Sequence, residues 1–87
     1  MILNFEQFQK AAVVVEKIID SVNISDLETE IRNSSNDIPL DNKRDFYRHM
    51  NSLFLNVLLN RLGSTPAGTE QKAIESRRII VNILNAQ

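Results

Sequence analysis

The feature that most constrains the fold of this chain is where its helix-breaking residues lie. Both glycines and one of the two prolines fall within residues 62–70, which read Leu-Gly-Ser-Thr-Pro-Ala-Gly-Thr-Glu. Glycine and proline are the strongest local interruptions of a helix, so an otherwise uninterrupted helical chain must turn at this segment. The pattern predicts a C-terminal hairpin of two helices, over about residues 41–62 and 66–86.

The first quarter of the chain has apolar residues at alternating steps of three and four. This stripe comprises Phe5, Phe8, Ala12, Val15, Ile19 and Val22. Such a period is typical of one face of a helix, here over about residues 4–22, and Asn4 with Gln7 has the spacing of a capping box. The stripe indicates either the core of a single chain or a seam at which protomers assemble.

Short sequence motifs predict where the remaining helices begin and end. Ser25 and Glu28 form a second capping-box pattern, which predicts a short helix over about 26–32. Asp41 is a candidate cap for the third helix and Gly63 its stop. The fourth helix is expected to start at Pro66, although Gly68 allows the start to move to residues 69–70. The chain is therefore expected to be one all-α domain over 1–87, a small bundle of three main helices and one short one.

Composition excludes several functional classes. The 87 residues include no cysteine and one histidine, His49, so neither a disulfide framework nor a cluster of metal ligands is expected. No serine stands at a recognisable motif spacing from a base, and we expect no enzyme activity and no cofactor. No secretory signal or membrane span is evident, which predicts a soluble, cytoplasmic protein. So short a chain buries a limited share of its surface, which favours a homo-oligomer.

Charge is unevenly distributed along the chain. Residues 1–31 hold six acidic and two basic residues, a net charge of −4, whereas residues 42–87 hold three acidic and seven basic residues, a net charge of +4. This asymmetry could steer an anion to the second half, or pair one protomer's acidic half with another's basic half. It is too mild to indicate duplex DNA binding, so a helix-turn-helix role for the turn is disfavoured.

A basic aromatic cluster opens the third helix. Lys43, Arg44, Tyr47, Arg48 and Asn51 fall within two helical turns. A nucleotide needs such groups: a ring for the base, guanidinium for phosphate and an amide for a base edge. The alternative is a solvated helix start whose tyrosine covers the core. The glycine-containing turn likewise suits a phosphate, but it also serves as a plain helix–helix turn.

Several short motifs occur together in the C-terminal half. An aromatic pair, Phe46-Tyr47, precedes a long helix and is followed at some distance by the proline turn Thr65-Pro66. Residues 69–74 read Thr-Glu-Gln-Lys-Ala-Ile, and residues 81–86 combine asparagine and alanine with aliphatic residues. Over about residues 36–87 this resembles the helical hairpin of the phage anti-CBASS sponges, which share a domain with some Thoeris antagonists. Thr69 stands where that family has arginine.

The resemblance implies a function and a set of site residues. Proteins of this family form compact homo-oligomers, here expected to be a hexamer, that hold cyclic di- or trinucleotides between protomers without cleaving them. Free signal then falls in the host cytoplasm and anti-phage defence is blocked. The residues that match the pattern are Tyr47, Pro66, Glu70 and Gln71; those that we add on physical grounds are Arg44, Arg48, Asn51 and Thr69.

A second hypothesis assigns the chain to a different class. Small size, absent catalytic groups and the wide apolar stripe also suit a helical protein-interaction module, such as a phage inhibitor or an antitoxin-like protein. Neither hypothesis includes a membrane, duplex nucleic acid, a metal or a catalytic residue.

Overall fold

Four α-helices make up the structure, a computed structural model that describes residues 2–61 and 68–86. They are α1 (Phe5–Ser21), α2 (Leu27–Ser34), α3 (Leu40–Arg61) and α4 (Thr69–Asn85). A short 3-10 turn, Ile24–Asp26, precedes α2, and the described residues include no strand. The predicted all-α bundle is confirmed, with α3 and α4 as the most extensively packed pair of helices.

Helix α1 begins with the capping box that the sequence predicts. The Gln7 backbone N–H donates to Asn4 Oδ1 at 2.9 Å, and the Asn4 backbone N–H donates to Gln7 Oε1 at 3.0 Å. These bonds satisfy two donors that a helix start otherwise leaves open.

The second predicted capping box does not form. Helix α2 starts at Leu27 with Asp26 in the cap position, and the Asp26 side chain makes no capping hydrogen bond. The reason is the 3-10 turn, in which the Asp26 N–H donates to the Asn23 carbonyl at 2.9 Å. Ser25 therefore lies inside helical backbone and not in the extended conformation of a cap.

The hairpin helices differ from their predicted starts by one to three residues. Helix α3 begins at Leu40, so Asp41 lies in its first turn instead of capping it, where its charge still favours the helix dipole. Helix α4 begins at Thr69, after Gly68 in the left-handed conformation at φ 91°. This agrees with the later of the two predicted starts, at residues 69–70, which Gly68 allows. The predicted features at Gly63 and Pro66 lie outside the described residues.

The core sits where all four helices meet. Its largest fully buried side chains are Ile18, Leu27, Ile31, Phe46, Met50, Phe54 and Ile80. Helix α3 contributes Phe46, Met50 and Phe54 and helix α4 contributes Ile80, all completely buried. Burial of such side chains supplies most of the stabilisation of a domain this small.

The core interpretation of the α1 stripe is wrong over the first half of the helix. Phe5 is 78% exposed and Phe8 is 40% exposed, whereas Val15 and Ile19 are buried as predicted. Other residues occupy the centre of the interface, namely Gln7, Ala11 and Ile18. Because α1 packs against both α3 and α4, its buried face lies between the two and is rotated away from the stripe.

Candidate functional site

The predicted ligand-binding residues of α3 separate into exposed and buried side chains. Arg44 and Arg48 are exposed and Asn51 is half-buried, and their spacing of four and three residues places them on one side of the helix. Tyr47 lies one residue from Arg48 and is directed into the core. The structure thus brings the two arginines and the amide together, but not the ring.

Tyr47 covers the core instead of offering a stacking surface. Its side chain is 4% exposed, and its hydroxyl lies 2.7 Å from Ser35 Oγ, which itself donates to the Arg32 carbonyl at 3.1 Å. The ring also meets Phe46 edge-on, with centroids 6.3 Å apart. In the conformation described, a base cannot stack on the Tyr47 ring. The alternative interpretation, in which the tyrosine covers the core, therefore holds for the single chain.

Arg77 of α4 is half-buried and adjoins these residues, although the sequence analysis did not select it. Its Nε donates to Asn51 Oδ1 at 3.1 Å, which places it beside Arg48 on the outer side of the α3–α4 hairpin. A local signal existed: Arg77 has no acidic residue three or four positions away, whereas Arg78 has Glu75 and binds it at 2.8 Å. We call Arg44, Arg48, Asn51 and Arg77 the hairpin basic face.

The arginines of the hairpin basic face have no ion-pair partner among the described residues. Ion pairs between described residues join Lys10 to Asp37, Lys17 to Glu30, Arg32 to Glu28 and Arg78 to Glu75. None of them involves Arg44, Arg48 or Arg77. A group of unpaired guanidinium ions around an amide is suited to bind phosphate or carboxylate oxygens, because planar guanidinium forms paired hydrogen bonds with such anions.

The remaining predicted residues lie at the far end of the hairpin. Thr69 is buried, and Glu70 and Gln71 are exposed in the first turn of α4. Since Arg77 pairs with Asn51 and the two helices run antiparallel, Glu70 lies roughly 20 Å from Arg44 along the helix axes. Pro66 lies outside the described residues. Within one chain, these residues do not form a single site with the hairpin basic face.

A groove between α1 and α3 is a second surface feature, which the sequence analysis did not find. Its volume is about 270 Å³, and its lining residues are Ala12, Val15, Glu16, Ile19, Leu53, Asn56, Val57 and Asn60. Beyond it on the same two helices, Phe8 meets His49 edge-on, with ring centroids 4.8 Å apart. The lining is apolar with a few amides and one carboxylate, so it suits an apolar side chain more than a charged ligand.

Partial burial lowers the pKa of His49, whose ring contacts Phe8. Over residues 2–61 and 68–86 there is no group of three or more histidine and carboxylate side chains that could hold a metal ion. The helices described are also too short or too polar for any of them to cross a bilayer.

Comparison with protein-family models, with curated proteins and with solved structures finds no match to this chain. Function must therefore be argued from the surfaces described above.

Proposed function

We propose that this protein is a non-enzymatic binding protein that sequesters cyclic oligonucleotide second messengers on its hairpin basic face. The observation that supports this proposal is the group of three arginines, Arg44, Arg48 and Arg77, with no ion-pair partner among the described residues. A cyclic di- or trinucleotide carries two or three phosphates in a small ring. Its binding would neutralise these charges without any bond being broken.

Different groups of the hairpin basic face would contact the phosphates and the bases of the ligand. Arg44 and Arg48 stand one helical turn apart, about 6 Å, and would contact phosphate oxygens. Arg77 is held through Nε by Asn51, which leaves its terminal nitrogens to donate to a further phosphate. Because Tyr47 is buried, base contacts would come from the flat faces of guanidinium groups and from the Asn51 amide.

Glu70 and Gln71 would take part only if the ligand lies between protomers. They are exposed at the start of α4, too far from Arg44 for one ring to span within a single chain. A homo-oligomer, a hexamer as the resemblance implies, would bring a second chain's α4 start to the ligand. In the host cytoplasm such a protein would lower the free signal below the threshold of a defence effector.

Calorimetry with a panel of cyclic di- and trinucleotides tests the proposal. The wild-type protein should bind at least one of them, and a triple variant, Arg44→Gln with Arg48→Gln and Arg77→Gln, should lose binding. Arg78→Gln is the matched control, because Arg78 is exposed on the same helix but already paired with Glu75. Absence of heat at tens of micromolar protein, or equal loss in the control, would overturn the proposal.

The exposed apolar surface of α1 favours the protein-interaction module as the second candidate. Phe5 and Phe8 are exposed, and the Phe8 ring meets His49 on the same two helices that form the α1–α3 groove. A host partner should then be recovered in stoichiometric amount by the wild-type protein and lost from a Phe8→Glu, Leu53→Glu variant. If the partner is still recovered by that variant, this groove is not its binding site.

A further inference from the structure

Helix α1 has an exposed face that combines apolar and acidic side chains. It lies opposite the buried residues Ala11 and Ile18 and comprises Phe5, Glu6, Val13, Glu16 and Asp20. Phe5 is 78% and Val13 is 59% exposed. None of the ion pairs between described residues involves its three carboxylates. We call these five residues the α1 acidic face.

The hairpin basic face also has apolar neighbours. Leu55 follows Asn51 by one turn on α3, and Ile74 and Val81 flank Arg77 by one turn on α4. All three are exposed large apolar side chains. Two surfaces of the same molecule thus each combine exposed aliphatic or aromatic groups with three unpaired charges, and the charges are of opposite sign.

The two faces cannot meet within one chain. Helix α1 contacts α3 on the side of His49, Leu53 and Val57, whereas Arg48 and Leu55 lie on the opposite side of α3. The residues of the α1 acidic face are exposed, and of the five only Glu16 also lines the α1–α3 groove. Each face is therefore left open to another molecule.

We propose that the α1 acidic face of one copy packs against the hairpin basic face of a second copy. The 17 residues of α1 extend about 25 Å, enough to lie along the α3–α4 hairpin. Burying Phe5 and Val13 against Leu55, Ile74 and Val81 would remove apolar surface from water, and the carboxylates would meet the guanidinium groups. Opposite charges favour this pairing over contact between two identical faces.

Because the contact joins two different faces, successive copies are arranged head-to-tail. Each copy then retains one open face of each kind, so the assembly grows until it closes into a ring. This contact requires no nucleotide and belongs to the ligand-free protein. It also predicts competition, because an anion on Arg48 and Arg77 occupies the groups that the partner's carboxylates would contact.

Sedimentation velocity of the ligand-free protein tests this contact with two charge-reversed variants. The first carries Glu16→Arg and Asp20→Arg, and the second carries Arg48→Glu and Arg77→Glu. Wild-type protein should associate in about 0.1 M salt and dissociate in about 1 M salt, between which the Debye length falls from about 10 Å to about 3 Å. Each variant alone should be monomeric, since one of its two faces is changed.

An equimolar mixture of the two variants is the decisive sample. The first variant retains its hairpin basic face and the second its α1 acidic face, and the two reversed faces are also opposite in charge. The mixture should therefore associate although neither variant does so alone. A control that reverses an ion pair on α2, Glu28→Arg with Arg32→Glu, should associate like wild type. Circular dichroism checks that all variants fold. A monomeric wild type in low salt, association that survives in either variant, or a mixture that stays monomeric overturns the proposal.

Discussion

Arg77 of α4 donates from Nε to Asn51 Oδ1 of α3 at 3.1 Å, and this bond connects the two helices on the outer side of the hairpin. It orients one of three arginines that have no carboxylate partner among the described residues. Asn51, which the sequence predicts as a binding residue, is thereby hydrogen-bonded to Arg77, which the sequence does not predict as one.

Removing this hydrogen bond should weaken ligand binding without removing charge. In Asn51→Ala the Arg77 side chain loses its fixed orientation and the ligand loses the proposed contact with the Asn51 amide. We expect affinity for a cyclic oligonucleotide to fall about tenfold, equivalent to about 1.4 kcal/mol. Asn56→Ala is the matched control, because Asn56 lies on the groove side of α3. Calorimetry measures both, and an equal loss in the control would show that this bond does not position a ligand group.

Tyr47 should contribute to stability and not to ligand binding. Tyr47→Phe removes the hydroxyl that lies 2.7 Å from Ser35 Oγ, and we expect the free energy of unfolding to fall by about 1 kcal/mol. Tyr47→Leu should destabilise further, yet leave ligand affinity within about twofold in the folded protein. Urea unfolding and calorimetry measure the two effects. A large loss of affinity in Tyr47→Leu would restore Tyr47 as a stacking residue.

Gln7 should be far more sensitive to substitution than its neighbour Gln9. Gln7 Oε1 accepts from the Asn4 backbone N–H and from Asn42 Nδ2, each at 3.0 Å, and Asn42 Oδ1 already has no partner. Gln7→Ala should therefore cost about 1–3 kcal/mol, because it leaves a buried amide unpaired. Gln9 is exposed, and Gln9→Ala should change stability by less than about 0.5 kcal/mol. Equal effects in urea unfolding would contradict the buried network.

Ser76 offers a stabilising substitution. Its side chain is completely buried in α4, and its hydroxyl oxygen has no hydrogen-bond partner among the described residues. Ser76→Ala removes this unpaired polar group and improves helix propensity, so the free energy of unfolding should rise by about 1 kcal/mol. A rise in the midpoint of urea unfolding confirms this expectation, and a marked fall would show that the hydroxyl has a partner in the folded protein.

The free energy of unfolding should decrease as the pH falls below the pKa of an ordinary histidine, about 6.5. Partial burial lowers the pKa of His49 in the folded state, so between its unfolded value of about 6.5 and its folded value the unfolded chain binds more protons. The stabilisation is complete above about pH 6.5 and is lost as the pH falls through the folded pKa. Carboxylates titrate lower, and the hydrogen bond from Lys10 lowers the pKa of Asp37 further.

The experiment compares urea unfolding at about pH 7.5 and about pH 5.5. The wild-type protein should be less stable at the lower pH, and His49→Gln should show a smaller difference, because the chain has no other histidine. An unchanged difference in His49→Gln would assign the effect to carboxylates.

The sequence determined the features that depend on residues close together in the chain. The period of apolar residues predicted the helices, and the spacing of Asn4 and Gln7 predicted a capping box that forms as expected. Gly68 allowed the observed start of α4. These features follow from backbone geometry over one or two turns, which local side chains control directly.

The tertiary structure decided which side of each helix is buried and which distant residues meet. The period along α1 is compatible with several orientations, and packing against both α3 and α4 selected the one that leaves Phe5 exposed. Likewise, Arg77 meets Asn51 only because of the register of the α3–α4 hairpin. Rotation and register depend on how all the side chains of the core fill space together, which no spacing within a single helix specifies.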